Sequence, residues 1–452
     1  MSAPTVNGQR SPEDNAMPRK RRHPAATRCG RRFQHLCFLL FVLLASGGQA
    51  FAFDYLVYVG TYTGKGSDGI YAYRFDASSG ESSALGLVAA TDNPSFLAVE
   101  PTGRFLFAVN ELDTFHDQPT GAVGVFAIDR ASGELRLLQQ VSSLGGGPAH
   151  LSLDKSARYL MVANYGGGNV AVFPIGNDGR LGPHSAFVQD VGSSVNPERQ
   201  AGPHAHFIQV TNDNRFAMVA DLGLDKILVY RFDANTGSLT PGSPKFVTVN
   251  PGAGPRHLAF APSGKFVYVV NELASTVTVF AYRPGPGTLH ATQTLSTLPK
   301  RFAGTNTAAE IVVDGSGRFL YVSNRGDDSI VVFRINANNG SLTPVEWIPS
   351  GGKTPRHFAI DPSGHWLFAA NQDSDEIKLF QVDPRSGRLT PTAGSLRVGS
   401  PVCVSFVPVK TAGKIPGHVQ PEPPSNLDAR GVQGNGLPVK ETSENMVRAH
   451  AQ

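Results

Sequence analysis

Apolar and small residues alternate along most of this chain in short runs, and the runs recur at a period of roughly fifty residues. The stretch from Pro255 to Phe280, PRHLAFAPSGKFVYVVNELASTVTVF, shows the repeated unit most clearly. Two runs flank the turn at 262–265, and a third run, TVTVF, follows. Alternation over about four to eight residues between Gly- and Pro-containing turns is typical of β-strands. The pattern therefore predicts repeated antiparallel strands, and it predicts no long helix.

Seven copies of the first strand can be aligned on the turn that follows it. The copies begin at Pro94, Pro148, His204, Pro255, Ala308, Pro355 and Pro401. Six copies continue into a second, a third and an edge strand, whereas the copy from Pro401 stands alone. Three strand-like runs near the other end of the chain, at 55–60, 69–75 and 82–90, supply its missing partners. The sequence thus predicts an all-β fold, a seven-bladed β-propeller whose last blade is closed by N- and C-terminal strands.

The first strand of each blade lines the central channel of a propeller, so one repeat position forms a ring around that channel. The third residue of each copy gives Phe96, His150, His206, His257, Glu310, His357 and Cys403. The residue before it gives Ser95, Ala149, Ala205, Arg256, Ala309, Arg356 and Val402. Because imidazole, carboxylate and guanidinium groups gather at one depth, we interpret the ring as a ligand site rather than a plain channel wall.

The second strand returns antiparallel, so its end lies at the same face of the blade. We read its last residue as Gly60, Asn110, Asn164, Asp221, Asn271, Asn324 or Asn371, and interpret this column as structural, since Asn bonds turn backbone. The next residue is then Thr61, Glu111, Tyr165, Leu222, Glu272, Arg325 or Gln372. This alignment predicts Glu272 beside Arg256, and Arg325 beside Glu310, on one open face.

Metal binding and nucleophilic catalysis are the alternatives to a metal-free ligand site in the channel. Four His and a Glu suit zinc, but they come from different blades and share the ring with two Arg, whose charge opposes a metal ion. We therefore expect no metal and no other cofactor. Ser95 and Cys403 lie at the rim without a GxSxG turn, and we expect Cys403 to pack like a small apolar residue.

The basic balance of the chain comes from its first 52 residues. They hold eight of the 40 Lys and Arg residues but only two of the 36 Asp and Glu residues, so the rest is near neutral and no nucleic-acid footprint is visible. A basic region, an apolar run at 36–45 and Ala50-Phe51-Ala52 predict an export signal at 1–52, with no stable membrane insertion after cleavage. An uncleaved anchor is the alternative. We place the propeller at 53–408 and a disordered tail at 409–452.

With these motifs in hand, the chain resembles the propeller-type lactonase family, which includes bacterial 6-phosphogluconolactonase and the carboxymuconate lactonizing enzyme. The resemblance covers about residues 55–408. The motifs that carry it are YVGTYT at 58–63, GPHAH at 202–206, GPRHLAF at 254–260, VNEL at 270–273, AAEI at 308–311, SNRGDDSI at 323–330 and RHFAIDPSG at 356–364. It implies a hydrolase of carbohydrate metabolism that opens a small-molecule sugar lactone with activated water.

The resemblance also implies catalytic residues, a His, two Arg and a Glu. By motif these match His206 (or His204), Arg256, Glu272 and Arg325, and we expect the substrate-binding set to be His150, His204, His257, Glu310, Arg356 and His357. Either Glu272 or His206 is the base or acid, while Arg256 and Arg325 hold carbonyl or anionic groups. The alternative is an exported YVTN-type propeller that acts as a binding or scaffold protein. The predicted export also fits poorly with 6-phosphogluconolactone as the substrate, because that lactone is made in the cytoplasm.

Overall fold

The computed structural model describes residues 54–64 and 66–409, and these residues form seven four-stranded antiparallel sheets, called blades 1 to 7 here. The described residues begin with β1 (Tyr55–Thr61), β2 (Gly69–Phe75) and β3 (Ser82–Ala90). Blade 1 follows with β4 (Leu97–Val99), β5 (Phe105–Asn110), β6 (Ala122–Ile128) and β7 (Leu135–Ser142). Blade 2 has β8 (Pro148–Leu153), β9 (Tyr159–Asn164), β10 (Asn169–Pro174) and β11 (Ala186–Gln189). Blade 3 has β12 (Ala205–Val210), β13 (Phe216–Asp221), β14 (Lys226–Asp233) and β15 (Ser238–Thr248).

Blades 4 to 7 complete the described chain. Blade 4 has β16 (Pro255–Phe260), β17 (Phe266–Asn271), β18 (Thr276–Arg283) and β19 (Thr288–Ser296). Blade 5 has β20 (Thr307–Val313), β21 (Phe319–Arg325), β22 (Ser329–Ile335) and β23 (Leu342–Pro349). Blade 6 has β24 (Pro355–Ile360), β25 (Trp366–Asn371), the 3-10 turn Gln372–Ser374, β26 (Glu376–Val382) and β27 (Leu389–Arg397). Blade 7 joins β28 (Pro401–Pro408) to β1, β2 and β3.

Blade 7 closes the molecule as the sequence predicts. Strand β28 runs antiparallel to β1, with Tyr55 opposite Pro408 at one end and Thr61 opposite Pro401 at the other. Strand β28 thereby covers the edge of β1 that β2 does not pair, and it becomes the innermost strand of the blade. The all-β, seven-bladed prediction is confirmed. The predicted leader and, apart from Val409, the predicted tail lie outside the described residues. Within the described ranges, no helix has the length and apolarity to cross a membrane.

The inner strands fix where a site can form. Strands β4, β8, β12, β16, β20, β24 and β28 contact one another in a closed ring. Apolar side chains fill the spaces between neighbouring blades; Tyr268 and Val270 of blade 4, for example, pack with Leu320 and Val322 of blade 5. Because apolar side chains occupy the faces of the blades, polar side chains lie mainly where strands end around the channel.

Asn side chains at the ends of the second strands connect neighbouring blades. The side-chain amides of Asn164, Asn324 and Asn371 donate to the backbone oxygens of Ser143, Thr297 and Ser350, at 2.9, 3.0 and 3.1 Å. Each of these oxygens belongs to the residue directly after the edge strand of the preceding blade. The amides therefore tie neighbouring blades together, and our structural interpretation of the column is confirmed in these three blades.

Candidate active site

A β-bulge near the start of the inner strands determines which side chains reach the channel mouth. In blade 4, Pro255 lies opposite Asn271 and His257 lies opposite Val270, so Arg256 has no residue across from it. The same shift occurs at Arg356 in blade 6. A bulged residue is re-aimed relative to a regular strand, and bulges are common beside active sites. The residues at the bulge positions of the blades therefore lie together at one level of the ring, apart from the regular strand positions.

The pairing corrects two columns of the sequence alignment. In blade 3, Ala205 lies opposite Asp221 and Phe207 opposite Ala220, so His206 occupies the bulge position of Arg256 rather than the deeper position of His257. The residue that shares the level of His257 is Phe207. In blade 7, Thr61 rather than Gly60 takes the place of the Asn column, because Thr61 pairs with Pro401. Tyr62 therefore stands where Glu272 stands in blade 4, and the sequence alignment missed it.

A cavity of about 340 Å³ opens at this level of the molecule. Its lining residues are Tyr62, Glu111, Ala149, Tyr165, Arg199, His206, Glu272, Thr307, Arg325 and Arg356. Nearly all of them are bulge residues or the residues that follow the Asn column. The size falls within the range of small-molecule sites, and the lining is unusually rich in charge.

Glu272 is the centre of the charged cluster. Its Oε1 accepts a hydrogen bond from Arg199 Nη2 at 2.8 Å. Its Oε2 lies 3.1 Å from Arg256 Nε and 2.9 Å from Arg325 Nη2. Burial by itself raises the pKa of this carboxyl, but Arg325, Arg256 and Arg199 outweigh burial and lower the pKa to about 2. Glu272 is thus an anion at neutral pH that holds three guanidinium groups together, and a carboxylate so stabilised is a weak base.

Two expectations about this cluster were wrong. The predicted contact between Glu272 and Arg256 is present, but the ion-pair partner of Arg325 is Glu272 and not Glu310. Glu310 lies three residues further along β20 than Thr307, which is the residue opposite Arg325. We also expected Arg256 and Glu272 to lie on an open face, but both residues are buried, at 3% and 5% exposure.

A second carboxylate faces Glu272 across the cavity. Glu111 accepts hydrogen bonds from the Tyr62 hydroxyl, at 3.0 Å to Oε1 and 2.9 Å to Oε2, and from the Ser95 hydroxyl. Arg356 lies over the Tyr62 ring, 5.2 Å from its centroid, with Nη2 4.0 Å from Glu111 Oε2. Stacking on Tyr62 holds the guanidinium of Arg356 beside the cavity.

His206 presents a neutral imidazole to the cavity. Burial first, and then the charge of Arg256, lower its pKa well below the ordinary 6.5. Its Nδ1 is buried and has no hydrogen-bond partner among the described residues. The ring contacts Tyr165 edge-on at 5.5 Å between centroids. His204 does not line the cavity; its ring stacks on Tyr165 at 4.5 Å and its Nδ1 lies 3.0 Å from the Tyr165 backbone oxygen.

The remaining predicted binding residues form a plug beneath the cavity. The plug consists of the side chains of Phe96, His150, Phe207, His257, Glu310 and His357, all buried except the partly exposed Phe96. Their aromatic rings lie close together, as in the 4.4 Å between the centroids of Phe96 and His150. Glu310 Oε1 lies 3.1 Å from His257 Nδ1, and its Oε2 lies 3.6 Å from His357 Nε2. This plug supports the cavity from below, and none of these six residues lines it.

Cys403 packs in the core, as the sequence predicts. It is 1% exposed and its sulfur accepts a hydrogen bond from the Leu97 backbone N–H at 3.3 Å. Burial raises the pKa of its thiol to about 12, so the thiol stays protonated and is a poor nucleophile.

Sequence and structure comparisons converge on one family. The family model described as "Lactonase, 7-bladed beta-propeller" matches residues 56–406. The 6-phosphogluconolactonase of Bacillus subtilis is 37% identical over 303 residues, which cover 67% of this chain and 84% of that protein. A protein of the same name from Formosa agariphila is 35% identical over 306 residues, 67% of this chain and 85% of that one. The periplasmic gluconolactonase of Pseudomonas aeruginosa superposes with a TM-score of 0.73 at 39% identity, covering 79% of this chain and 99% of that structure.

Proposed function

Because this chain belongs to the seven-bladed β-propeller lactonase family and is a lactone hydrolase, we propose that it opens a sugar lactone of the gluconolactone class in the cavity around Glu272. The observation that carries this is the joining of three arginines by one buried carboxylate beside a neutral histidine. Such a group of fixed cations suits the negative oxygen that develops when a lactone carbonyl is attacked. The names of the relatives support the substrate class.

The reaction uses the residues in distinct roles. A water oxygen bonds to the lactone carbonyl carbon while His206 takes the proton that this water loses, and the carbonyl oxygen becomes an oxyanion held by Arg325. The bond from that carbon to the ring oxygen then breaks, and the proton returns from His206 to the departing ring oxygen. The product is an open-chain hydroxy acid. Glu272 positions Arg256 and Arg325; because arginines hold both of its oxygens, we do not assign it the water proton.

The charge around the cavity favours a lactone that itself carries an anionic group. Arg199, Arg325 and Arg356 line the cavity and Arg256 lies directly behind, against the carboxylates Glu111 and Glu272. Cations outnumber anions, so a sugar lactone that carries an anionic group gains attraction that a neutral one lacks. We use 6-phosphogluconolactone as the anionic probe; because it is made in the cytoplasm, an exported protein would meet another acidic sugar lactone.

A lactone panel tests this proposal. The purified protein, without added metal, is given 6-phosphogluconolactone and glucono-1,5-lactone near pH 6.5, and acid release is followed against spontaneous hydrolysis. We expect turnover of both lactones and a higher kcat/KM for the phosphorylated one. Rates equal to spontaneous hydrolysis for every lactone would sink the proposed function, whereas a preference for the neutral lactone would sink only its anionic part.

The predicted leader leads to a proposal about where in the cell this activity takes place. Residues 1–52 combine a basic region, an apolar run and a small-x-small site, and the P. aeruginosa relative is named a periplasmic protein. We propose that the protein is exported and that the leader is cleaved after Ala52. The N-terminal residue of the protein recovered from the exported fraction tests this, and full-length protein retained with the membrane would favour an anchor instead.

A further inference from the structure

Arg199 comes from outside the repeated units. It belongs to the segment 190–204, which connects β11 to β12 and is longer than any other connection between the described blades. The next longest, 297–306, is much shorter. From its position between blades 2 and 3, the segment brings a guanidinium to Glu272 of blade 4 and to the Tyr165 hydroxyl of blade 2, at 2.8 and 3.2 Å.

The backbone that carries Arg199 is firmly held. The Gln200 side chain is fully buried and donates to the Leu222 backbone oxygen at 2.8 Å. The Asn196 side-chain oxygen accepts hydrogen bonds from the backbone N–H groups of Glu198 and Arg199, at 3.0 and 3.1 Å. A change at Arg199 is therefore a change of its side chain alone, and the segment does not have to move.

Arg199 differs from the other three arginines in exposure and in its contact with Glu272. Its side chain is 40% exposed, against 3% for Arg256, 13% for Arg325 and 18% for Arg356. It is also the sole partner of Glu272 Oε1 among the described residues, while Arg256 and Arg325 share Oε2. If Arg199 leaves Glu272, the carboxylate still has two cations, so the exchange costs little compared with uncovering Arg256 or Arg325.

We propose that Arg199 is the residue that recognises the anionic group of the substrate, by exchanging its hydrogen bonds to Glu272 and Tyr165 for bonds to that group. This inference rests on the proposed lactonase function and assigns its charge specificity to one side chain. A phosphate offers two oxygens to the planar guanidinium in place of one carboxylate oxygen and one hydroxyl. Lysine cannot reproduce this two-pronged contact, because its ammonium is a point charge.

Kinetics of Arg199→Ala on the two lactones test the assignment. The substitution removes the charge-assisted bonds to the phosphate, so we expect kcat/KM for 6-phosphogluconolactone to fall about tenfold, mainly through a higher KM. The fall for glucono-1,5-lactone should be several times smaller, so the preference for the phosphorylated lactone shrinks. Arg199→Lys should recover part of that preference. The matched control is Arg180→Ala, an exposed arginine paired with Asp178 on an outer turn of blade 2, which should change neither rate.

Inorganic phosphate supplies a readout that needs no phosphorylated substrate. It should inhibit hydrolysis of glucono-1,5-lactone competitively in the unaltered protein, and the inhibition constant should rise in Arg199→Ala. Equal losses on both lactones, or an unchanged preference and an unchanged inhibition constant, would overturn the role of Arg199 while leaving the lactonase function intact. An unaltered protein that hydrolyses neither lactone would instead overturn the proposed function itself.

Discussion

At the scale of single residues, the contrast between Glu272 and His206 underlies our proposal that His206 moves the proton. Both are buried and both face arginine, but the charge acts on them in opposite ways. Cations stabilise the carboxylate of Glu272 and hold its pKa at about 2, whereas burial first, and then the charge of Arg256, lower the pKa of His206 well below 6.5. Both effects favour the neutral imidazole of His206, and its buried Nδ1 has no hydrogen-bond partner among the described residues, which the sequence alone could not establish.

The pH profile of kcat/KM follows from the state of His206. In the proposed mechanism, activity needs the neutral imidazole of His206 and falls as pH drops through its lowered pKa, so we expect the acid limb well below pH 6.5. The measurement is kcat/KM on glucono-1,5-lactone from pH 4 to 7.5, because kcat/KM reports groups of the free enzyme. His206→Asn should remove most of the rate, whereas His184→Asn, at an exposed site, should leave the profile unchanged. An acid limb near 6.5 would contradict the depressed pKa.

The sequence located some site residues and missed others for identifiable reasons. Arg256, Glu272 and Arg325 follow from motif and repeat position, because each lies at a strand end of a regular blade. Tyr62 was missed by one position, although aligning YVGTY at 58–62 with YVVNE at 268–272 would have found it. Arg199 lies in a segment with no repeat counterpart, so no column could reveal it.

At the scale of the strand and its connection, blade 3 departs from the column of inter-blade amides. Asp221 replaces Asn, and its Oδ1 accepts hydrogen bonds from the backbone N–H groups of His204 and Leu224, at 2.9 and 3.0 Å. Asp190, the residue directly after β11, lies next to it and accepts a hydrogen bond from the Tyr230 hydroxyl at 3.0 Å. Burial first, and then the neighbouring Asp221, raise the pKa of Asp190 to about 7.

This acid pair makes the stability of the fold depend on pH. Because the folded protein binds a proton that the unfolded chain releases above about pH 4, the pair is most favourable below that pH and loses stability as pH rises through about 7. Asp221→Asn should restore an amide donor to Asp190 and keep the acceptor oxygen. We expect it to raise the free energy of unfolding at pH 8 by roughly 1 to 3 kcal/mol and to flatten the pH dependence between 4 and 8.

Urea unfolding of both proteins across that pH range is the measurement. Asp178→Asn is the matched control, since Asp178 is an exposed carboxylate on the same blade as Asp190, and it should leave the slope in place. Equal slopes for Asp221→Asn and the unaltered protein would show that the pair does not share a proton. The segment 190–204 begins at Asp190 and carries Arg199. The interaction between Asp190 and Asp221 therefore also helps to anchor the segment that brings Arg199 to the cavity.

At the scale of the whole molecule, the repeat count fixed the fold more firmly than it fixed the site. Six full copies and an orphan first strand leave few ways to pair every strand, and closure by β28 with β1 follows directly. The site depends on bulges that shift a strand by one residue, and a period of about fifty residues does not show such a shift. This is why His206 was placed one level too deep while its blade was placed correctly.

Closure of blade 7 should control the stability of all the blades, because the inner strands form one ring. Ending the chain after Gly399 removes β28, so β1 keeps β2 but loses its partner on the channel side, and Val59, Phe368 and Ala370 lose their packing with Val404. We expect this shortened protein to lose cooperative thermal unfolding and lactone hydrolysis together, although Glu272 and its three arginines remain. Ending the chain after Val409 instead keeps every residue of β28 and should preserve both properties. If the protein ending at Gly399 melted cooperatively near the temperature of the one ending at Val409, the closing strand would not be what holds the ring together.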